Sequence, residues 1–100
     1  MLLREIAHTR TGDKGNRAII SVIAYDLKDF AKIEQAVTVD RVRDHYKEIV
    51  RGEVERFVLP QLGALNFVLH GALGGGVTRS LALDAHGKCL SSSLLSLEIG

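Results

Sequence analysis

Nine consecutive residues near the start of the chain combine side chains that bind anions or transfer protons. The run from His8 to Asn16 reads His-Thr-Arg-Thr-Gly-Asp-Lys-Gly-Asn and lies between two apolar segments. Glycines at positions 12 and 15 permit backbone conformations in which successive N–H groups converge on an anion. The run is therefore predicted to be a loop that binds a phosphate or a carboxylate.

Each polar residue of this loop has a predicted role. Arg10 can hold a planar anion through two parallel hydrogen bonds, and Lys14 adds a second positive charge. His8 titrates near neutral pH and, together with Asp13, is the candidate for moving a proton. A hairpin turn with solvated charges is the alternative explanation. The ligand-binding residues predicted in the loop are Arg10, Gly12, Lys14, Gly15 and Asn16.

Three residues elsewhere are predicted to complete the site. Thr78 and Arg79 follow a run of glycines at the start of a predicted strand, where a ligand can approach the backbone closely. Asn66 lies in an apolar segment, and its amide either braces the first loop or contacts the ligand. No metal site and no cofactor are predicted, because His86 and Cys89 form only one ligand-like pair and a structural zinc site needs four ligands.

The first half of the chain is predicted to form two strands and two helices that position the loop. Residues 2–7 form the first strand. Residues 18–24 form the second, a β-branched run typical of a central strand buried on both faces. Asp26 is predicted to cap a short helix, and Thr38 a longer one that Gly52 terminates.

The second half is predicted to add a strand, a helix and a further strand. Residues 53–59 alternate as a strand does, and Pro60 stops it. Leucine spacing then favours a helix over 61–72, followed by a strand over 77–83. The tail from Ser91 to Ile99 fits either a short capped helix or a final strand. The whole order indicates one two-layer α+β domain over residues 1–100.

Composition limits the function classes. The chain has 100 residues, 46% of them hydrophobic, and a net charge of +1 without a long run of one sign, which argues against non-specific nucleic-acid binding. A single cysteine excludes an internal disulfide, and no leader or long apolar run is present, so a cytoplasmic location is expected. A domain this small gains from burial at a subunit interface, and an oligomer is therefore expected.

Three segments of the chain carry further motifs: Ala7 to Asn16, Leu59 to Phe67, and Gly75 to Leu81 with Asp84, Gly87, Lys88 and Leu90. Together, and in this order, they resemble the AtuA-like ferredoxin-fold domain family. The resemblance implies a ferredoxin-like two-layer sandwich, with a mainly antiparallel sheet and two principal helices on one face. A ferredoxin-like chain runs β-α-β-β-α-β, whereas the predicted order begins with two strands. Either the first loop contains a helical turn or the fold is a variant.

The resemblance also implies a catabolic setting that involves acyl-CoA, terpenoid or organic-acid compounds, without fixing a reaction. The favoured hypothesis is a subunit or assembly module that binds copies of itself or a larger AtuA-type subunit and contributes an anion-binding loop. The alternative is a small enzyme that acts on a carboxylate or CoA thioester by acid–base chemistry. A ligand site of either kind requires His8, Asp13, Lys14, Asn66 and Arg79 to converge on one concave surface.

Overall fold

The chain folds around an antiparallel sheet in a computed structural model that describes residues 1–14, 17–47, 50, 52–71 and 89–100. Four strands are present in these residues, and their order across the sheet is first, second, fourth, third. Every neighbouring pair is antiparallel. The strands are β1 (Ala7–Lys14), β2 (Arg17–Ala24), β3 (Val54–Leu59) and β4 (Ala64–His70).

The central strand predicted over residues 18–24 is confirmed by β2. Ala18, Ile20 and Val22 are completely buried, whereas Ile19 and Ile23 on the other face are only half-buried. The expectation that both faces are buried is therefore wrong, because the described helices cover only one of them.

The segment predicted to be a loop is largely strand β1. It pairs with the whole of β2, from Ala7 opposite Ala24 to Lys14 opposite Arg17. The ladder formed with an apolar neighbouring strand outweighs the local turn preference of glycine and charged residues. The strand predicted over residues 2–7 is also wrong, because Leu3–Glu5 form a 3-10 helix.

The segment predicted as a helix over 61–72 is mainly strand β4. The strand predicted over residues 53–59 is confirmed by β3, and Pro60–Leu62 then form one 3-10 turn that ends at Gly63 with φ 64°. Beyond Gly63, Leu65, Phe67 and Leu69 are completely buried and alternate with half-buried residues. Leucines three or four residues apart fit a helix as well, and pairing with β2 and β3 decides in favour of the strand.

The helices are α1 (Phe30–Ala36) and α2 (Val39–His45), and Thr38 caps α2 as predicted. The Thr38 hydroxyl accepts a hydrogen bond from the Arg41 N–H at 3.2 Å. The predicted extension of α2 to Gly52 is wrong, because non-helical Tyr46 with φ −108° ends it.

Shorter helical turns complete the described elements. Asp26 caps the 3-10 turn Leu27–Asp29, and its carboxylate accepts from the Lys28 N–H at 3.0 Å. The tail is helical, with α3 (Cys89–Ser92) continuing into the 3-10 turn Ser93–Ser96.

The hydrophobic core lies between the helices and one face of the sheet. β2 and β4 supply its sheet side, and both ends of the chain add residues to it. Its largest completely buried side chains are Phe67, Leu3, Ile20, Ile33, Leu65, Leu69 and Leu94.

Polar contacts of Arg56 and His45 help to join the packed elements. Arg56 of β3 donates from Nη1 to the carbonyl oxygens of Glu34 at 2.8 Å and Val37 at 3.0 Å, at the C-terminal end of α1. His45 Nε2 lies 3.2 Å from Ser93 Oγ, which connects α2 to the C-terminal turn. Burial lowers the pKa of His45, and a hydrogen bond to Ser93 opposes that shift.

The topology is a variant of the ferredoxin-like fold. In a β-α-β-β-α-β unit the first and third strands are central and the last strand lies beside the first. Within the described residues, β2, β3 and β4 take the places of the first three strands, and β1 takes the place of the last. A strand position that usually ends the chain therefore begins it here, which explains why the predicted order starts with two strands.

Candidate binding site on the open sheet face

The face of the sheet turned away from the described helices, called the open face below, carries the strand positions that the core leaves out. The strand register arranges these positions in rows across the sheet. In the order β1-β2-β4-β3, the first row is His8, Ile23, Ala64 and Leu59, the second is Arg10, Ser21, Asn66 and Phe57, and the third is Gly12, Ile19, Val68 and Glu55.

The second row is polar in its centre. The Ser21 hydroxyl donates to Oδ1 of Asn66 at 2.8 Å, across the β2–β4 pairing. This bond engages the amide oxygen, and the amide N–H groups of Asn66 have no partner within the described part of the chain. Asn66 is half-buried, so donors without partners at this position favour the binding of an external acceptor.

A groove of about 370 Å³ runs over the first two rows. Its walls are mainly apolar and continue onto the turn that follows β3. Binding sites for small molecules combine apolar walls with a few convergent polar groups, and this groove has that composition. The groove is lined by Arg10, Ser21, Ile23, Leu59, Leu62, Ala64 and Asn66.

Arg10 supplies the positive charge of the groove. Its side chain is exposed and, among the residues that the structure describes, has no carboxylate or hydrogen-bond partner. Arg56 and Arg41, by contrast, donate to backbone carbonyls, and Arg43 approaches Asp40. Arg10 is therefore available to a planar anion, which a guanidinium binds through two parallel hydrogen bonds.

His8 borders the groove through its strand partner Ile23. Its ring stacks on Tyr25, with centroids 5.2 Å apart, and its Nδ1 atom is buried without a hydrogen-bond partner. The buried Nδ1 is therefore not the atom through which His8 would contact a ligand in the groove. The arrangement indicates that His8 shapes the end of the open face.

The strand register places positions 8 and 13, the two predicted to transfer protons, at alternate backbone positions of β1. Positions 8, 10 and 12 belong to the open face, whereas position 13 alternates with them and pairs with the core residue Ala18. Gly12 lies in extended strand opposite Ile19, so the predicted convergence of amide groups around it is wrong. An added Cβ at Gly12 would meet no atom within 4 Å.

The predicted site is therefore brought together only in part. Arg10 and Asn66 line one groove, and His8 lies at its end. The backbone of Lys14 pairs with Arg17 in the strand ladder. Gly15, Asn16, Thr78 and Arg79 lie outside the described residues, as does the strand predicted over 77–83.

Sequence reasoning missed the apolar half of the groove. Leu59, Leu62 and Ala64 lie at one hairpin, whereas Ile23 is remote in sequence, and the pairing of β2 with β4 brings it beside them. Ser21 gave a detectable signal, since a lone hydroxyl inside a β-branched run needs a hydrogen-bond partner when it is buried.

The described residues lack the features of two other kinds of site. No group of three or more histidine, cysteine, aspartate or glutamate side chains has the arrangement of a metal site there. No helix within the described ranges is long and apolar enough to cross a membrane.

The fold and the groove together define a two-layer α+β domain of ferredoxin-like type with a candidate small-molecule site on its open face. The family model of the AtuA ferredoxin-like domain matches residues 1–100, and the chain belongs to that family. Neither the curated proteins nor the solved structures contain a match. The resemblance carried by the three sequence segments is thus confirmed.

Proposed function

We propose that this chain is a non-catalytic binding module whose open face holds the anionic head and the apolar tail of an organic acid. The observation that carries the proposal is an arginine that has no partner among the described residues and lies at the edge of an apolar groove of about 370 Å³. Arg10 binds the carboxylate, and the groove accepts the hydrocarbon chain.

The polar groups of the groove match a carboxylate in number and type. The Arg10 guanidinium presents parallel donors, and the Asn66 amide adds N–H groups one strand beyond Ser21. A carboxylate has two acceptor oxygens and uses such donors fully. Ile23, Leu59 and Ala64 then bury methylene groups, each of which contributes about 0.8 kcal/mol when it leaves water.

The same geometry favours binding over catalysis. His8 has its Nδ1 buried beside Tyr25, and the described lining of the groove contains no carboxylate or imidazole. An acid–base pair must come within hydrogen-bond reach of one proton, and the described lining supplies no such pair. A binding module that retains an acid for a catabolic system, alone or beside a larger AtuA-type subunit, agrees better with the groove.

Calorimetry with three related probes tests the proposal. Octanoate carries both the head and the tail, octanol lacks the carboxylate, and acetate lacks the tail. We expect octanoate to bind at least about tenfold more tightly than either control, because each loses one class of interaction worth more than about 1.4 kcal/mol. Octanoyl-CoA, in which the carboxylate is a thioester, tests whether the free acid or the thioester is preferred.

A pair of arginine variants locates the site. Arg10→Gln is expected to weaken octanoate binding about tenfold, whereas Arg4→Gln removes the same charge from an exposed position in the 3-10 turn Leu3–Glu5, outside the strands of the sheet and outside the groove. Equal effects of the two variants would mean that only net charge matters. Amide resonances in a two-dimensional NMR titration should shift at Ser21, Ile23 and Asn66, and shifts confined to the helices would contradict the proposal.

A further inference from the structure

Large apolar side chains are exposed on the open face and around its edge. Phe57, in the middle of β3, is 48% exposed, and Leu62 at the edge of the groove is 68% exposed. Tyr25, stacked on His8, is 66% exposed. Ile19 adds a half-buried apolar position between the charged ones. Apolar surface that is contiguous and bordered by polar groups marks an interaction site.

We propose that the open face packs against the same face of a second copy of this chain, about a two-fold axis that lies in the interface parallel to the strands. This rotation reverses the strand order, so that β1 of one copy lies over β3 of the other and β2 lies over β4. Two sheets packed face to face lie about 10 Å apart, and their side chains interdigitate. Because the interface is isologous, every contact occurs twice.

Charge selects this axis over the other symmetric possibility. With the axis parallel to the strands, positions in the same register row face each other, so Arg10 lies over Phe57 of the second copy. Arg17 then lies over the second copy's His70, which is paired with Glu55. A guanidinium is attracted both by an aromatic face and by a carboxylate.

A two-fold axis perpendicular to the strands gives the opposite result. It would place β1 over β1 and β3 over β3 of the second copy, with equivalent residues no more than one row apart. Arg10 would then approach Arg10 of the second copy, and Glu55 would approach Glu55. Like charges that face each other across an interface repel and disfavour that arrangement.

The size of the open face is adequate for such a dimer. Four strands spaced about 4.8 Å apart, each with about six residues at 3.3 Å per residue, project about 400 Å² per copy. Side chains that stand above the sheet, together with Leu62 and Tyr25 at its edge, add accessible surface to this projection. Stable specific interfaces begin at about 1,200 Å² for both partners combined, so two projected faces of about 800 Å² together with this added surface correspond to a weak dimer in equilibrium with the monomer.

The dimer would also complete the groove. The row from His8 to Leu59 would face the same row of the second copy in reverse order, so that the two grooves close into one cavity. The inference does not depend on the proposed function, because it rests on exposed apolar residues and on charge, without reference to a ligand.

Sedimentation equilibrium of the full chain in ligand-free buffer tests the interface. We expect a monomer–dimer equilibrium for the wild type and a monomer for Phe57→Lys, which places a cation opposite Arg10 of the second copy. Gln35→Lys adds the same charge to an exposed position on α1 and should leave the dimer intact. A monomeric wild type, an assembly larger than a dimer, or a dimeric Phe57→Lys variant would overturn the proposal.

A charge exchange tests the axis. Arg17→Glu and Glu55→Arg should each raise the dimer dissociation constant about tenfold, and the double variant should restore it to within about threefold of the wild type. Failure of the double variant to restore the dimer would refute the axis parallel to the strands. A monomer that binds octanoate through Arg10 would overturn the dimer and leave the proposed function standing, whereas a dimer that binds no octanoate would do the reverse.

Discussion

Replacing Arg56 should reveal how strongly the sheet is tied to the end of α1. The side chain is half-buried on the helix side of β3, and its Nη1 atom donates to the carbonyls of Glu34 at 2.8 Å and Val37 at 3.0 Å. These oxygens belong to the last turn of a helix, where carbonyls have no partner in the helix itself and the helix dipole is negative. A cation is therefore held where the backbone attracts one.

The expected magnitude follows from these two contacts. A hydrogen bond to a charged group contributes about 1.5–3 kcal/mol. Because both bonds share one donor atom and the side chain is partly solvated, we expect Arg56→Met to lower the free energy of unfolding by about 2–3 kcal/mol in total. Methionine retains the aliphatic contacts, so the loss reports the hydrogen bonds and charge.

Thermal unfolding followed by circular dichroism measures this loss. For a chain of this size about 1 kcal/mol shifts Tm by 4–8 °C, so Arg56→Met should unfold about 10–20 °C below the wild type. The control is Arg43→Met, since Arg43 is 52% exposed and lies 3.4 Å from Asp40 within one helix; it should change the unfolding free energy by less than about 0.5 kcal/mol. Equal changes in the two variants would refute the assigned role of the carbonyl contacts.

Three further variants give separate tests. Thr38→Ala removes the cap of α2 and should lower the unfolding free energy by about 1 kcal/mol in urea titrations, with Thr38→Asp as the rescuing control. Gly63→Ala forces a side chain into φ 64° and should lower it by about 1–2 kcal/mol, whereas Gly12→Ala, in open space and extended strand, should not lower it. Burial lowers the pKa of folded His45 below the unfolded value of about 6.5, so the stability it contributes is complete above that pH and is lost as the pH falls through the folded pKa. The free energy of unfolding of His45→Gln should depend less on pH than that of the wild type between about 6.5 and the lower, folded pKa of His45. An unchanged pH profile would contradict the lowered pKa.

The fold could be predicted where local and tertiary preferences agree. The β-branched run of β2 indicated a strand, and Thr38 indicated the start of α2, because a hydroxyl at that position satisfies a free helix N–H. The strand before Pro60 was predictable as well, since its apolar residues alternate and proline cannot continue a ladder.

The errors arose where one sequence supports two periods. Leu62, Leu65 and Leu69 have helical spacing, yet Leu65, Phe67 and Leu69 also alternate, and neighbours on both sides fix β4 as a strand. In β1 the glycine and charged residues favour a turn locally, while pairing along the whole of β2 imposes an extended backbone. Neither outcome can be read from a single segment, because the strands that decide it lie outside that segment.

Only the polar part of the candidate site could be predicted, because the rest depends on which strands pair. Arg10 and Asn66 stand out as polar residues beside apolar runs, and both line the groove. The hydrogen bond that joins Ser21 to Asn66 requires β2 to lie beside β4, with a register that a single sequence does not specify. The groove forms only when these strands pair in this register.

The position of β1 explains why charge and apolar surface are divided across the open face. In the described sheet β1 has only β2 as a neighbour, so Arg10 lies at one margin, while Ile23 and Ala64 lie further in and Phe57 lies at the other margin. A ligand with one charged end therefore fits the sheet in a single direction, with its head at β1 and its tail toward β4. A two-fold axis parallel to the strands superimposes each margin on its opposite, so that a guanidinium meets an aromatic ring twice. The asymmetry that orients the proposed acid therefore also makes the face complementary to itself. Arg10→Gln should weaken both acid binding and the dimer, whereas Phe57→Lys should abolish the dimer and affect acid binding less.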